Sequence, residues 1–251
     1  MTTLLLRHED IAPVATPALA YDAVRKALLL EAAGDAVVPP RLNAAAPDGW
    51  LRIMPAVLGS NGDRPMMGFK AMNLNRSTGV RYVVLLYDAE SGELLSIIDA
   101  ATVTRIRTAA VTVLACEALL GGDPLSELGL FGSGYEATSH LEALKARHPE
   151  LELVRVYSPR RERREAFARR LGEALELEVE AVREPRIAAA APVVVLATKT
   201  DRAVLESDWL APGTRVLSIG STRPDLRELP EELFARTRVC VCDSPEQVAG
   251  E

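Results

Sequence analysis

The sequence predicts an α/β protein in two parts: an α+β half built on an antiparallel sheet, then a doubly wound half built on a parallel sheet. Three observations predict it. Apolar strand patterns separated by short turns fill residues 50–98, strand and helix patterns alternate after Gly121-Gly122-Asp123-Pro124, and one helical pattern over residues 104–120 joins the two. The expected division is 1–120 for the antiparallel-sheet domain and 121–251 for the parallel-sheet domain.

Residues 4–6 form a short strand, and residues 18–33 a helix closed by Gly34. Val37-Val38-Pro39-Pro40-Arg41-Leu42 runs extended, because each proline disfavours helix in the residue before it. Arg41 follows that stiff segment and on pattern alone reads as a solvated charge. Strands are expected over 50–55, 66–72, 80–87 and 94–98, the last two joined as a hairpin through a loop carrying Gly92. Lys70 interrupts an apolar strand. A charge there is either paired or functional, or it guards a sheet edge against aggregation.

The helix over 104–120 has Thr102 or Thr104 as its expected N-cap, which puts Arg105, Arg107 and Thr108 in its first turn. Arginine near a helix N-terminus opposes the macrodipole. Arg107 is therefore either an anion-binding group at the helix end or a surface charge. Beyond the linker, strands are expected at 128–131, 151–157, 175–182, 192–197, 215–219 and 239–241, in the order 3-2-1-4-5-6. Helices are expected at 138–147, 161–171 and 188–191.

The first parallel strand runs into Gly132-Ser133-Gly134-Tyr135-Glu136-Ala137, a G-x-G-x-x-A motif on a strand-to-helix turn. Gly132 permits the tight turn, Gly134 lets a pyrophosphate approach the backbone, and Ala137 keeps the helix close to the sheet. The helix N-terminus adds unpaired N–H groups and partial positive charge. These features together make the second half a dinucleotide-binding, Rossmann-type domain. Thr198, just past the fourth strand, is assigned to the cofactor with Ser133, Tyr135 and Glu136.

An acidic residue at the end of the second strand would bind the ribose 2′-hydroxyl of NAD. This chain has Tyr157-Ser158-Pro159-Arg160-Arg161 instead. Ser158 can donate to a 2′-phosphate, and Arg160 and Arg161 can neutralise it, which favours NADPH over NADH. The plainer alternative is that these arginines only face solvent, as Arg163, Arg164, Arg169 and Arg170 are expected to do.

Composition narrows the class. Of 251 residues, 48% are hydrophobic and 25% charged, which supplies a core and excludes disorder. The net charge of -6 argues against nucleic acid or an anionic membrane as the main partner. The N-terminal leucine run lacks a cleavage site, no apolar run reaches membrane-spanning length, and a cytoplasmic location is expected. The three cysteines, with Cys240 and Cys242 alternating on a strand-like run, read as buried thiols in a reducing compartment. Three scattered histidines supply no metal-ligand spacing.

Several segments together resemble the ornithine cyclodeaminase/mu-crystallin family. They are Pro39-Pro40-Arg41, Met54-Pro55-Ala56, Gly68-Phe69-Lys70, Arg107-Thr108-Ala109-Ala110, the glycine motif, Trp209-Leu210-Ala211-Pro212-Gly213-Thr214 and the run from Gly220 to Leu229. Their order and spacing run from about residue 37 to about residue 247. The resemblance implies an NAD(P)-binding domain attached to an antiparallel-sheet domain through which two subunits dimerise, with the active site in the cleft between domains. It places Arg41, Lys70, Arg107 and Thr108 at substrate-binding positions, and Lys70 and Thr222 at catalytic ones.

Where the cyclodeaminases carry an aspartate after the glycine of the fifth strand, this chain has Thr222. A hydroxyl is no base near neutral pH. The resemblance is accordingly to the ketimine-reductase branch: an NADPH-dependent reductase of a small α-imino acid, of the ketimine or 1-pyrroline-2-carboxylate type. A cyclodeaminase, an amino-acid dehydrogenase and a non-catalytic nucleotide-binding member are the alternatives. Family members continue for several tens of residues beyond the point corresponding to Glu251, in a tail that packs onto the first domain.

Overall fold

The apolar alternation of the first half folds into one seven-stranded sheet. In the computed structural model, which describes residues 2–59 and 64–248, β1 (Leu4–Leu6), α1 (His8–Ile11) and α2 (Pro17–Ala32) come first. They lead into β2 (Ala36–Val37), β3 (Leu42–Ala46), β4 (Gly49–Leu58), β5 (Met66–Asn75), β6 (Gly79–Asp88) and β7 (Leu94–Asp99). The sheet order is β1-β7-β6-β5-β4-β2, with β3 also paired to β4. The pairs are antiparallel except at β1, which runs parallel to β7, so the expected antiparallel sheet is mixed at one edge.

Local chemistry sets the boundaries. The Thr16 hydroxyl accepts from the Leu19 amide at 3.2 Å and Pro17 opens α2. Gly34, at φ +76, ends it in a conformation that side chains resist. Asp88 closes the β6–β7 hairpin: its Oδ1 accepts from the amides of Glu90 at 2.9 Å and Ser91 at 2.7 Å, and Arg64 pairs with its other oxygen. These donors, the Ser91 amide foremost, draw the Asp88 pKa down from 3.8 to about 2 against the opposing effect of burial.

The chain divides into two compact units, Met1–Thr108 and Ala109–Glu251, inside α3 (Ala101–Leu120). That helix starts earlier than its apolar pattern predicts. Asp99 Oδ1 accepts from the Ala101 amide at 3.2 Å, and the Thr104 amide already donates to Ala100 at 2.8 Å. The capping oxygen is thus that of Asp99, not of Thr102 or Thr104. Arg105 and Arg107 lie in the second turn, past the open N–H groups that would have assisted anion binding.

In the second unit, β8 (Glu127–Phe131), α4 (Tyr135–Arg147), β9 (Leu153–Tyr157), α5 (Arg161–Leu175), β10 (Glu178–Ala181), α6 (Pro185–Ala189), β11 (Val193–Leu196) and β12 (Arg215–Ser218) alternate as expected. A 3-10 turn at Ser207–Trp209 precedes β12, and α7 (Glu232–Arg236) and α8 (Pro245–Val248) follow it. The sheet is wholly parallel, in the order β10-β9-β8-β11-β12, which is the expected 3-2-1-4-5. Leu128, Leu130, Phe131, Val154, Val156 and all of β11 are buried, as strands covered on both faces must be. Each such side chain contributes about 1.5–3 kcal/mol.

Four expectations are corrected in this unit. Residues 239–241 form no strand: Val239 and Val241 are exposed, and β12 stays at the sheet edge among the described residues. Cys240 and Cys242 are therefore exposed, and only Cys116 is a buried thiol. The third strand starts late, because Leu175 still belongs to α5 and Glu176 turns the chain at φ +49, with the Leu177 amide closing onto Gly172 at 3.0 Å. The helix expected at 188–191 is shifted to α6, opened by Pro185. Among the described residues no helix is long and apolar enough to cross a membrane, and no group of His, Cys, Asp or Glu is arranged to hold a metal ion.

Candidate functional site

The turn after β8 is wedged between the ends of its two neighbours. The Gly132 amide donates to Tyr157 at 2.9 Å, and the Ala197 amide donates to Phe131 at 2.8 Å. Gly132 has φ +113, and a Cβ there would lie 2.4 Å from the Ala197 carbonyl oxygen. Only glycine fits. The strand order reverses between β8 and β11, so this turn occupies the topological switch point where open α/β sheets bind their ligands.

Gly134 plays a different part. A Cβ there would meet nothing within 4 Å, and Gly134 caps α4 without a side-chain hydrogen bond. Open space thus lies in front of the α4 N-terminus. Ala137 is fully buried, its Cβ 3.7 Å from the Cβ position of Gly132, which keeps α4 against the sheet. Ser133 and Glu136 are half-buried and Tyr135 is exposed. This cradle fits the diphosphate of a dinucleotide, which the Gly132–Ala137 backbone would hold.

Of the residues assigned to the adenosine ribose, Ser158 is buried and its hydroxyl lies 2.9 Å from that of Ser133. Arg160 and Arg161 are exposed at the start of α5, and Arg161 pairs with Glu165 one turn on at 2.7 Å. That partner raises the Arg161 pKa and lowers that of Glu165. Arg164 departs from expectation. It is buried, and its Nη1 donates to the Ser158 carbonyl at 3.0 Å, so it braces the turn after β9 instead of facing solvent.

Thr198 leads to a residue that sequence reasoning passed over. Its amide donates to Glu228 Oε1 at 2.6 Å and its hydroxyl to the same oxygen at 2.5 Å. Glu228 Oε2 accepts from the Ser218 hydroxyl at 2.8 Å and from the amides of Ile219 at 3.0 Å and Gly220 at 2.6 Å. The carboxylate is 1% exposed, and among the described residues no basic side chain pairs with it. A Cβ on Gly220 would lie 1.8 Å from the Thr198 carbonyl and 2.7 Å from Glu228 Cδ, so this glycine is required by close approach. Thr222 follows in the same loop, exposed, its amide donating to Gly220 at 3.0 Å.

The candidate substrate residues all fall in the first unit. Arg41 is half-buried in the connection from β2 to β3. Lys70 lies on β5, opposite Met54 of β4 and Val84 of β6, which removes the edge-guarding reading because β5 is an interior strand. Arg107 and Thr108 are half-buried on α3, and the Thr108 hydroxyl donates back to the Thr104 carbonyl at 2.8 Å.

Fold and glycine turn define the second unit as a Rossmann-type domain, here joined to a mixed-sheet unit. The ornithine cyclodeaminase/mu-crystallin family pattern matches residues 1–251, and the chain belongs to that family. It is 30% identical to the ketimine reductase mu-crystallin of Macropus fuliginosus, over 98% of this chain and 80% of that protein. It is 33% identical to a delta(1)-pyrroline-2-carboxylate reductase of Paracoccus denitrificans, over 68% of this chain and 54% of that one. Among solved structures, an archaeal alanine dehydrogenase dimer with bound NAD superposes with a TM-score of 0.91 at 28% identity, covering 100% of this chain and 77% of the other. The Thermococcus litoralis delta(1)-pyrroline-2-carboxylate reductase, in complex with NADH and L-proline, gives 0.89 at 25% identity, over 99% and 78%.

Proposed function

We propose that the protein is an oxidoreductase acting on C=N groups, an NADPH-dependent reductase of a small α-imino acid. The observation that carries the nucleotide half of this reading is the Gly132–Gly134 turn at the switch point, too close to Ala197 for any side chain at Gly132 and open where α4 begins. The reductase and dehydrogenase relatives support the chemistry. When bound, the nicotinamide supplies a hydride for the imine carbon. Arg41 and Arg107 hold the substrate carboxylate by charge-assisted hydrogen bonds. Lys70, a lysine on an interior strand, polarises or protonates the imine nitrogen, and Thr222 orients the reacting groups. Thr222 in place of a carboxylate leaves no base at that position for activating water, which favours reduction over cyclodeamination.

The test follows NADPH absorbance with cyclic imino acids and with α-keto acids plus ammonia or a primary amine. Oxidation of NADPH by members of this panel is the expected result. Ammonia release from ornithine without net change in the nucleotide would reassign the chain to cyclodeamination. Tight NADPH binding with no turnover of any panel member would make it a binding protein.

A further inference from the structure

We propose that Glu228 is a positioning residue that sets the nicotinamide-side wall of the nucleotide site; this rests on the nucleotide-binding reading above. The residue touches no reacting atom. Its carboxylate receives five hydrogen bonds, two from Thr198 after β11 and three from Ser218, Ile219 and Gly220 at the end of β12. Each oxygen serves one loop, so the group acts as a staple between two adjacent strand ends. The segment that carries it is itself tied down: the Glu228 amide donates to the Ser221 hydroxyl at 3.1 Å, the Arg227 amide to Thr200 at 2.8 Å, and the Val204 amide to the Glu228 carbonyl at 2.9 Å.

The staple's place in the sheet decides what it positions. Ala197, the residue before Thr198, is the one whose carbonyl leaves no room for a Cβ at Gly132, so the stapled loop borders the switch point directly. It stands on the β11 side of the glycine turn, away from Ser158 and α5, which follow β9 on the adenosine side. Both loops leave the carboxyl ends of their strands, where this class of sheet binds ligands. The Thr198 amide and hydroxyl proton are spent on Glu228, so Thr198 offers a ligand its hydroxyl lone pairs and a fixed backbone. Thr222 is tied to the same backbone, its amide donating to the carbonyl of Gly220, whose own amide Glu228 holds. A neutral amide at position 228 would present a donor to one of the two loops and oppose donors already there.

The experiment measures equilibrium binding of NADPH and of adenosine 2′,5′-bisphosphate, a fragment that fills only the adenosine end, to the parent and to Glu228→Gln. Amide hydrogen exchange is followed at Thr198, Ile219 and Gly220, with β8 and β9 as internal reference. NADPH affinity is expected to fall roughly ten- to a hundredfold while fragment affinity holds, with faster exchange confined to the three stapled amides. Equal losses for both ligands, or no change in either, would overturn the proposal. If Glu228→Gln does not fold, Glu228→Asp, which keeps the charge but draws it back by one methylene, is read by the same split and the same two criteria. A parent chain that binds neither ligand would instead refute the nucleotide-binding reading, and this inference with it.

Discussion

Ser133 and Ser158, on the turns after neighbouring strands, bring their hydroxyl oxygens to within 2.9 Å of each other. Either can donate. One proton serves the pair and the other stays available, so the pair can offer a single outward donor. Arg164, through a buried side chain, holds the Ser158 carbonyl at the proposed adenosine end, while Arg160 and Arg161 stay at the surface.

Nucleotide choice should follow from that division. Arg161 is already engaged by Glu165, whereas Arg160 stands at the exposed helix start. Arg160→Ala is expected to weaken NADPH binding by about 1.5–3 kcal/mol, roughly ten- to a hundredfold, with Arg161→Ala weaker in effect and NADH affinity unchanged by either. Fluorescence titration of both nucleotides checks this. A double variant that binds NADPH as tightly as the parent would show that these arginines are surface charges only.

Gly132→Ala tests the switch-point turn. The new methyl group would be strained by φ +113 and would press into the Ala197 carbonyl, 2.4 Å from its ideal position. A loss of about 1–3 kcal/mol in unfolding free energy is expected, together with loss of nucleotide binding. Gly134→Ala meets no atom within 4 Å in the unliganded chain. It should keep stability and lose nucleotide affinity alone. Denaturant titration separates the two effects, and equal destabilisation by both variants would contradict the division of roles.

Much of this was legible in the sequence because it is local. The valine-rich run of β11 and the strand-to-helix glycine turn each depend on neighbours a few residues away. Misreadings arose where a partner far along the chain decides the outcome. Residues 239–241 alternate like a strand, but no described segment pairs with them. Arg164 sits among five other arginines in a run that looks solvated until the fold brings the Ser158 carbonyl to it. Glu228 is a charge in a polar stretch, and only contact with Thr198, thirty residues earlier, makes it a staple.

Asp88 gives the hairpin a pH dependence whose sign can be worked out. Its folded pKa, about 2, lies below the ordinary 3.8, so the hairpin's charge-assisted bonds stabilise the fold fully above pH 3.8 and are lost as pH falls through about 2. Asp88→Asn should therefore lower the melting temperature at neutral pH, with the difference from the parent shrinking across that window. Thermal melts between neutral and strongly acidic pH provide the check. A difference that stays constant with pH would mean the carboxylate charge contributes nothing.

Assembly is the last prediction, and strand register sharpens it. Val37 pairs with Val57, Val57 with Met67, Leu42 with Ile53, Leu51 with Asn73, and Val83 with Ala71. Paired residues share a face, so Val37, Leu42, Leu51, Val57 and Val83 lie together on the Phe69 face, with Asn73 and Arg81 towards one end. Lys70 points to the opposite face. All five apolar residues are exposed in the single chain, and a contiguous exposed patch of this kind marks an interaction surface. A second copy presenting the same face would cover it symmetrically. We therefore expect a homodimer through residues 50–98 and this face, which leaves the Lys70 face available to substrate. Light scattering should return twice 27.1 kDa, and Leu51→Glu with Val83→Arg should return a folded single subunit. A parent protein that runs as one subunit at micromolar concentration would exclude the dimer.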